Sequence, residues 1–595
     1  MQGGTVERLR GWKMAWVPRS GDGGRSAGGD LLERVMAVRG LSGAFLEPTM
    51  KQLHDPGLLP GIDRVCERLL AAARAGDPIV VYGDYDVDGI TATAILVRML
   101  RALEPGAGVS TYVPHRIEEG YGLNSAALVE LASRGARVVV SVDCGITAVE
   151  PALAAKGAGL DLIITDHHNP PEGADEIPDA YAIVHPRLPG SVYPFGELCG
   201  AGVAFKIAWR LATMHEGSER VSPGVRAVLL DLLTLAALGT VADVVPLVDE
   251  NRVIVRHGLA MCKTTGLTGL AALIDAAGLG GEKIDAEKVG FRLGPMLNAV
   301  GRLGHAAEAV ELLLSTDPAR AASIAGGLTR VNEQRRRTQR QIFAQAGAMA
   351  EAAGMTDDDT RAIVLAHEDW HPGVVGIVCS RLVETYARPA ILMQKQPGGM
   401  CVGSGRSIEG FNLHGAVDAC ADCLTSFGGH DMAIGLRVQT SRLDEFVRRF
   451  LSVAGGALAP EDLVQTSRYD CTAEAGELTP GAVRRLEKLA PFGRSNPPVC
   501  VLLRGVRVEG RPEPFGRTGD HLGVRLRGVG VSVRGSGGPV LRAIGWGWAE
   551  MHDRFRPGAL VDVLVEPKVS DYSGRVEPVL VDARVAGTSI PARVE

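Results

Sequence analysis

Short β-branched runs alternate with Ala- and Leu-rich amphipathic stretches through the first half of the chain, a pattern that predicts strands separated by helices and therefore an α/β fold with a parallel sheet. Residues 79–82, 109–113, 138–142 and 160–164 read as buried strands, and residues 90–103, 201–211 and 225–238 as helices. Between 31 and 75, two or three short helices are interrupted by Pro48, Pro56 and Pro60. Residues 306 to about 354 read as near-continuous helix, with weak breaks at Asp317-Pro318 and Gly326-Gly327. A second α/β unit follows a polar link at 356–360, with a strand at 362–366, a helix to Tyr386 and a strand at 390–394. From Tyr469 a short helical region leads into strands at 499–508, 521–526, 529–533, 540–546, 560–565 and 577–585, set off by Gly and Pro, which suggests a small β-barrel.

The length of 595 residues changes this picture by requiring about three or four domains rather than one core. Residues 1–30, rich in Gly and Arg and without periodicity, read as a disordered N-terminus. The ten cysteines have no framework spacing, so reduced thiols and a cytoplasmic location are expected. Cys420 and Cys423 form a CxxC without a second pair at zinc spacing, which favours packing. The apolar runs look too short for a membrane span, and no membrane partner is expected. A net charge of -6 implies no global attraction to polyanions, so any nucleic-acid surface must be local. Such a segment exists: between Arg494 and Arg556 eleven Arg face five acids, with Trp546, Trp548 and Phe555 interleaved, the ingredients of either a single-strand groove or an ordinary barrel core.

The candidate chemistry lies where strands end. Asp84, Asp86 and Asp88 follow the first strand, Asp143 the third, and Asp166, His167 and His168 the fourth, while Asp243 sits beside a Gly turn after a helix. In a parallel sheet with right-handed crossovers those strand ends share one edge, so the acids and histidines can converge. So many like charges call for divalent cations, and carboxylates mixed with imidazole favour Mn²⁺ while admitting Mg²⁺. A carboxylate bridging two ions about 3.5–4 Å apart suits displacement at phosphorus. Arg116, Arg302 and Arg406, each in a Gly-rich turn, could neutralise a phosphate. Asn298, Ser404 and His430 stand beside similar turns, and the run Arg330, Arg335, Arg336, Arg337 and Arg340 reads equally as a solvated face or as phosphate contact. The residues alone leave phosphodiester and phosphoanhydride hydrolysis both open.

Gly83-Asp-Tyr-Asp-Val-Asp-Gly89, Val142-Asp-Cys-Gly145, Thr165-Asp-His-His168 and Val241-Ala-Asp-Val-Val-Pro246 resemble, in this order, the four metal motifs of the DHH phosphoesterases. Glu119-Gly-Tyr-Gly122, the Asn298/Arg302 turn, Trp370-His-Pro-Gly373, Gly403-Ser-Gly-Arg406, Gly428-Gly-His430 and Pro491-Phe-Gly493 are similar to segments of the bacterial RecJ family of single-strand-specific exonucleases, a likeness running from about Leu31 to the end of the chain. The resemblance implies a DHH domain at 31–305, a connecting helix at 306–355, a DHHA1 domain at 356–460 and an OB-fold at 461–595. It implies 5′-to-3′ degradation of single-stranded DNA to mononucleotides in repair and recombination by a monomer, with a single-strand-binding protein and a helicase as partners. By the same resemblance Asp84 and Asp86 hold one metal, Asp88, His167 and Asp243 the other, and Asp143 bridges them; Asp166 orients His167 or a neighbour. His168 and Arg302 face the scissile phosphate, and Arg116, Asn298, Ser404, Arg406 and His430 contact the strand. Two departures stand out, Met296 in place of a basic residue and Ile434 in place of a small one; the first would weaken a phosphate contact and the second alter packing.

Overall fold

The computed structural model describes residues 9–19, 29–116, 118–173, 176–528 and 538–587. Two short strands, β1 (Leu9–Arg10) and β2 (Ala15–Pro18), precede helices α1 (Leu31–Arg39) and α2 (Ile62–Ala75). Then come β3 (Ile79–Tyr82), α3 (Val87–Leu103), β4 (Val109–Tyr112), α4 (Ser125–Ser133), β5 (Val138–Val142), α5 (Val149–Gly157), β6 (Asp161–Thr165) and β7 (Ala182–Val184). Their strands form one all-parallel sheet in the order β4-β3-β5-β6-β7. Alternation sorts its side chains: Ile79 and Val81 enter the core with α3, whereas Val80 and Tyr82 enter the core on the opposite face with α4 and α5.

Helices α6 (Gly200–Glu216), α7 (Pro223–Ala242), α8 (Asp249–Met261) and α9 (Thr268–Ala276) thicken the α3 side, and α3, α6 and α7 pack on one another. With 20 residues, most of them apolar, α7 has the length and composition of a membrane span, contrary to the expectation from sequence. Its second half, Leu232 through Thr240, is buried in the core beneath the site, and that burial accounts for its apolar character. A short α10 (Ala286–Lys288) passes through one π-helical turn (Val289–Leu293) into α11 (Gly294–Leu303). The connecting helix is not continuous: α12 (Ala307–Leu314) stops at Ser315, and the 35-residue α13 (Pro318–Ala352) restarts with Asp317 as cap and Pro318 at its first position.

The second α/β unit comprises β8 (Ile363–His367), α14 (Pro372–Tyr386), β9 (Ala390–Gln396), β10 (Met400–Arg406), α15 (Leu413–Asp418), β11 (Ser426–His430), β12 (Ala433–Gln439) and α16 (Leu443–Ala457). Its sheet runs β11-β12-β10-β9-β8. Cys420 and Cys423 are buried in its core. The third unit has β13 (Thr466–Tyr469), β14 (Cys471–Ala473), α17 (Pro480–Leu486), β15 (Val501–Val508), β16 (Glu513–Phe515), β17 (His521–Arg527), β18 (Val540–Gly545), β19 (Leu560–Glu566) and β20 (Val579–Val585). The β15–β17 pairing closes β15-β19-β20-β18-β17 into a barrel. The strand expected at 529–533 lies outside the described residues.

Two boundaries differ from the sequence reading. Residues 9–19, expected to be disordered, form a hairpin that pairs with β13. Trp16 is fully buried and donates its indole N–H to Asp582 of β20 (2.9 Å), which also accepts from the N–H of Met14 (2.8 Å). The partner that orders the segment is 566 residues away, beyond the reach of local pattern. Residues 1–8 and 20–28 lie outside the described residues. Helix α1, assigned by sequence to the first domain, places Leu31, Leu32 and Val35 in the barrel core, and Arg39 grips Asp470 bidentately (2.7 and 2.9 Å).

Candidate metal centre

The parallel register that sets Tyr82 beside Ser141 and Val142 beside Thr165 brings the ends of β3, β5 and β6 to one edge. Asp84 and Asp86 leave the first, Asp143 the second, and Asp166, His167 and His168 the third. Asp88 lies in the first turn of α3, and Asp243 caps the end of α7. Asp86 also caps α3, its Oδ1 accepting from the N–H groups of Asp88 (2.9 Å) and Gly89 (3.1 Å). Asp88 is fixed by the start of α6, where Gly200 N–H (2.6 Å) and Ala201 N–H (2.8 Å) donate to its two oxygens.

His167 Nε2 lies 3.1 Å from Asp143 Oδ1, 3.6 Å from Asp243 Oδ2 and 3.8 Å from Asp88 Oδ2. Candidate ligand atoms of Asp84, Asp86 and Asp143 fall within 4.8 Å of one another, as do those of Asp88, His167 and Asp243; a third trio, Asp143, His167 and His168, overlaps both ends. Asp84 Oδ1, Asp143 Oδ1 and His167 Nε2 are buried without a hydrogen-bond partner among the described residues. Buried polar atoms are ordinarily paired, so three orphans converging in one spot mark a place for a cation, and their oxygen and imidazole chemistry fits a divalent one.

The electrostatics agree. Burial, then the charge of Asp86, pushes Asp84 up to about 8, and burial with Asp88 pushes Asp243 up to about 9. Burial raises Asp88 and Asp143 as well, Asp143 also through its acidic neighbours, and burial lowers His167 to about 4. His168 behaves differently. Burial opposes its charge, but its Nδ1 donates to Asp166 Oδ1 (2.7 Å), and that bond with the carboxylate's charge raises it to about 9. Burial would raise Asp166, yet the bond from His168 and the N–H of Ile146 hold it well below the usual range. Asp166 therefore orients the His168 ring, and reaches His167 only through its backbone N–H (2.7 Å).

Asp143 adopts φ 63°, a left-handed conformation that a non-glycine residue keeps only when its surroundings impose it. Part of that imposition is close packing: a Cβ on Gly200 would lie 2.6 Å from Asp143 Cβ and 2.7 Å from its Oδ1. Gly200→Ala is expected to displace Asp143, destabilising the fold by about 1–3 kcal/mol and weakening Mn²⁺ binding at least about tenfold; thermal melts in EDTA and metal titration check the two effects.

Beside the acids lies a cluster of arginines. Arg302 on α11 donates from Nη1 to Gly373 O (3.1 Å) at the start of α14, where a Cβ on Gly373 would be only 2.5 Å from Arg302 O, so the two α/β units meet at this point. Burial and the charges of Arg116, Arg335 and Arg406 lower Arg302 to about 9. Arg116 lies over the Tyr85 ring, 4.6 Å from its centroid. Ser404 and Arg406, on β10, back against Gly376 of α14, where a Cβ would sit 3.5 Å from Ser404 Oγ and 3.4 Å from Arg406 Nη2. Asn298 is partly committed elsewhere, its oxygen accepting from Val87 N–H (3.1 Å). His430 is not among the acids; it ends the exposed edge strand β11 and, like Arg406, pairs with Ala433, so the two share a sheet face about 10 Å apart. Met296 is buried and so takes no part in a phosphate surface.

Residues 78–240 match the DHH family N-terminal domain, 359–455 the DHHA1 domain and 469–581 the RecJ OB domain. The single-stranded-DNA-specific exonuclease RecJ of Bacillus subtilis is 36% identical over 564 residues, covering 93% of this chain and 68% of the relative. That of Dickeya dadantii is 37% identical over 482 residues, covering 78% and 82%. The chain belongs to the RecJ family. The crystal structure of RecJ in complex with Mn²⁺ from Thermus thermophilus superposes with a TM-score of 0.76 at 31% identity, covering 93% of this chain and 76% of that one. A second RecJ structure bound to manganese gives 0.59 at 35%, covering 70% and 99%.

Within this RecJ-family chain three features were named in the sequence without their particular roles. Tyr121, between two glycines of positive φ, donates its hydroxyl to Asp143 O (3.1 Å) and stands 3.1 Å from His168 Nδ1. Arg335 is the member of the arginine run whose charge acts on Arg302, a selection that the run itself did not signal. On the barrel, Trp548 and Phe555 are core residues; Trp546 is 57% exposed, with Phe515 (5.7 Å) and His521 (4.8 Å) against its ring.

Proposed function

We propose that this chain is a metal-dependent exonuclease that hydrolyses single-stranded DNA from its 5′ end, releasing mononucleotides in DNA repair and recombination. The observation that carries the reading is the convergence of Asp84 Oδ1, Asp143 Oδ1 and His167 Nε2, buried and unpaired, beside the arginines that surround Arg302. Asp84, Asp86 and Asp143 would hold one divalent cation and Asp88, His167 and Asp243 a second, with Asp143 shared. Mn²⁺ suits this imidazole-containing set better than Mg²⁺. Bound cations supply charge neutralisation at phosphorus and a lowered pKa for the attacking water. His168, held as an imidazolium by Asp166, donates to an oxygen of the scissile phosphate, and Arg302 neutralises its charge. Arg116, Ser404 and Arg406 hold the strand end; Asn298 steadies the start of α3, and His430 lies farther along the same sheet face as Arg406. The exposed Trp546, with the half-buried Phe515 and His521 against its ring, offers stacking surface for bases.

The reading extends to a cytoplasmic monomer working with a helicase and a single-strand-binding protein. Ten free, buried cysteines suit a reducing compartment. A 5′-labelled and a 3′-labelled single strand with Mn²⁺, alongside a dinucleotide, test the activity. Labelled mononucleotide released first from the 5′-labelled strand supports it; exclusive cleavage of the dinucleotide overturns it.

Charge also makes the metal-free protein pH-sensitive. Asp84 and Asp243 are raised in the fold to about 8 and about 9, so the folded state holds protons that the unfolded chain has released, and stability falls as pH rises through that range. His168, raised to about 9, has the same sign, its stabilisation being lost as pH passes that value. In EDTA the melting temperature should therefore drop from pH 7 to 9, and added Mn²⁺ should restore more at pH 9 than at pH 7. Parallel melts at the two pH values measure this.

A further inference from the structure

A tight turn at the entrance to the third unit brings Arg494 beside the end of α7 that carries Asp243. Gly493 and Asn496 exchange backbone hydrogen bonds (2.9 and 3.1 Å), and the Asn496 amide donates to the carbonyls of Leu489 and Pro491 (both 2.8 Å). Ser495 takes φ 63°, so the turn is held in a single shape. It docks on the connection after Asp243: Leu247 N–H donates to Arg494 O (2.9 Å), and a Cβ on Gly493 would lie 2.7 Å from Leu247 Cδ1. From α8, Arg252 donates to the carbonyls of Leu489 (2.8 Å) and Ala490 (2.9 Å), and Arg256 also reaches Ala490 O (2.9 Å). All of these anchors leave the Arg494 guanidinium free. Its side chain is exposed, no described residue accepts from it, and its charge is felt at Asp243.

We propose that Arg494 binds a backbone phosphate of the strand beside the metal centre, making it a strand-positioning residue that the barrel unit contributes to the site. The inference rests on the proposed exonuclease reading. The turn docks through backbone atoms of Arg494, which leaves its guanidinium solvated beside the acid cluster and open to an anion. A phosphate is the partner that guanidinium recognises by geometry and charge.

The test compares wild type, Arg494→Ala and Arg494→Lys in full-length protein with Mn²⁺, on a 5′-phosphorylated 20-nucleotide single strand, with salt varied. The Ala variant should raise KM about 5- to 20-fold while kcat stays within about twofold, and the slope of log(kcat/KM) against log[salt] should shrink by about 0.7, the share of one phosphate on a single strand. Lys should recover most of the KM. Unchanged KM and slope in the Ala variant, or a fall in kcat that Lys does not restore, would overturn the assignment. Thermal midpoints matching wild type exclude a folding defect, since the Leu247 anchor is to backbone; an Ala variant that melts lower would mean that the side chain supports the turn and would also overturn it. If wild type itself leaves the strand intact, the exonuclease reading fails; if wild type cleaves and Ala behaves identically, only the role of Arg494 does.

Discussion

Asp143→Asn should reduce kcat/KM on single-stranded DNA on the order of 10³-fold or more, because it removes a buried carboxylate that belongs to two of the trios able to hold a cation, one with Asp84 and Asp86 and one with His167 and His168. Asn is the suitable replacement. It tolerates φ 63° and keeps the side-chain outline packed against Gly200, so loss of activity cannot be attributed to the backbone. Stability should move the other way. Burial raises Asp143, and Asp88 and Asp86 raise it further, which means that its ionised form opposes folding when no cation is present. The variant is therefore expected to melt higher than wild type in EDTA and to gain less from Mn²⁺. Steady-state kinetics and paired melts, with and without EDTA, check both directions.

His168→Ala is the second large effect, a fall of about 10²- to 10⁴-fold in kcat with Mn²⁺ binding retained. Asp166→Asn acts through the same ring and separates orientation from mere packing. The carboxylate overcomes burial to hold His168 near 9; without it, burial is left to lower the imidazole, and the protonated form is scarcer at neutral pH. The variant should lose about 10- to 100-fold, its deficit growing from pH 6 to pH 8 as the alkaline limb of kcat moves to lower pH. A deficit independent of pH would show that Asp166 only props the loop.

The strand ends were legible because two local signals coincide there, a β-branched run that stops and acids that begin. Register then follows from parallel pairing, and the edge where Asp84, Asp143 and His167 meet is a consequence of the order β4-β3-β5-β6-β7. What stayed hidden depends on partners remote in sequence. Trp16 looks like part of an unstructured tail until Asp582 is beside it, and α1 joins the barrel through Asp470, more than 400 residues on. The aromatics of the barrel show the same limit: Trp546 and Trp548 are two residues apart, and only the closing of the strand ends decides that one is exposed and the other buried. His430, which the resemblance sets in contact with the strand, ends the edge strand β11, and only the pairing of the sheet shows that it shares a face with Arg406. Tyr121 showed only as part of a Gly-Tyr-Gly motif and Arg494 only as one of eleven Arg in a basic segment, since a Tyr or Arg in a turn acquires its particular role from what it faces.

Anomalous diffraction at the manganese edge, from crystals of the protein grown with Mn²⁺, tests the central claim most directly. Two peaks about 3.5–4 Å apart are expected, one among Asp84, Asp86 and Asp143 and the other among Asp88, His167 and Asp243, with Asp143 touching both. A single peak, or peaks away from Asp143, would contradict it.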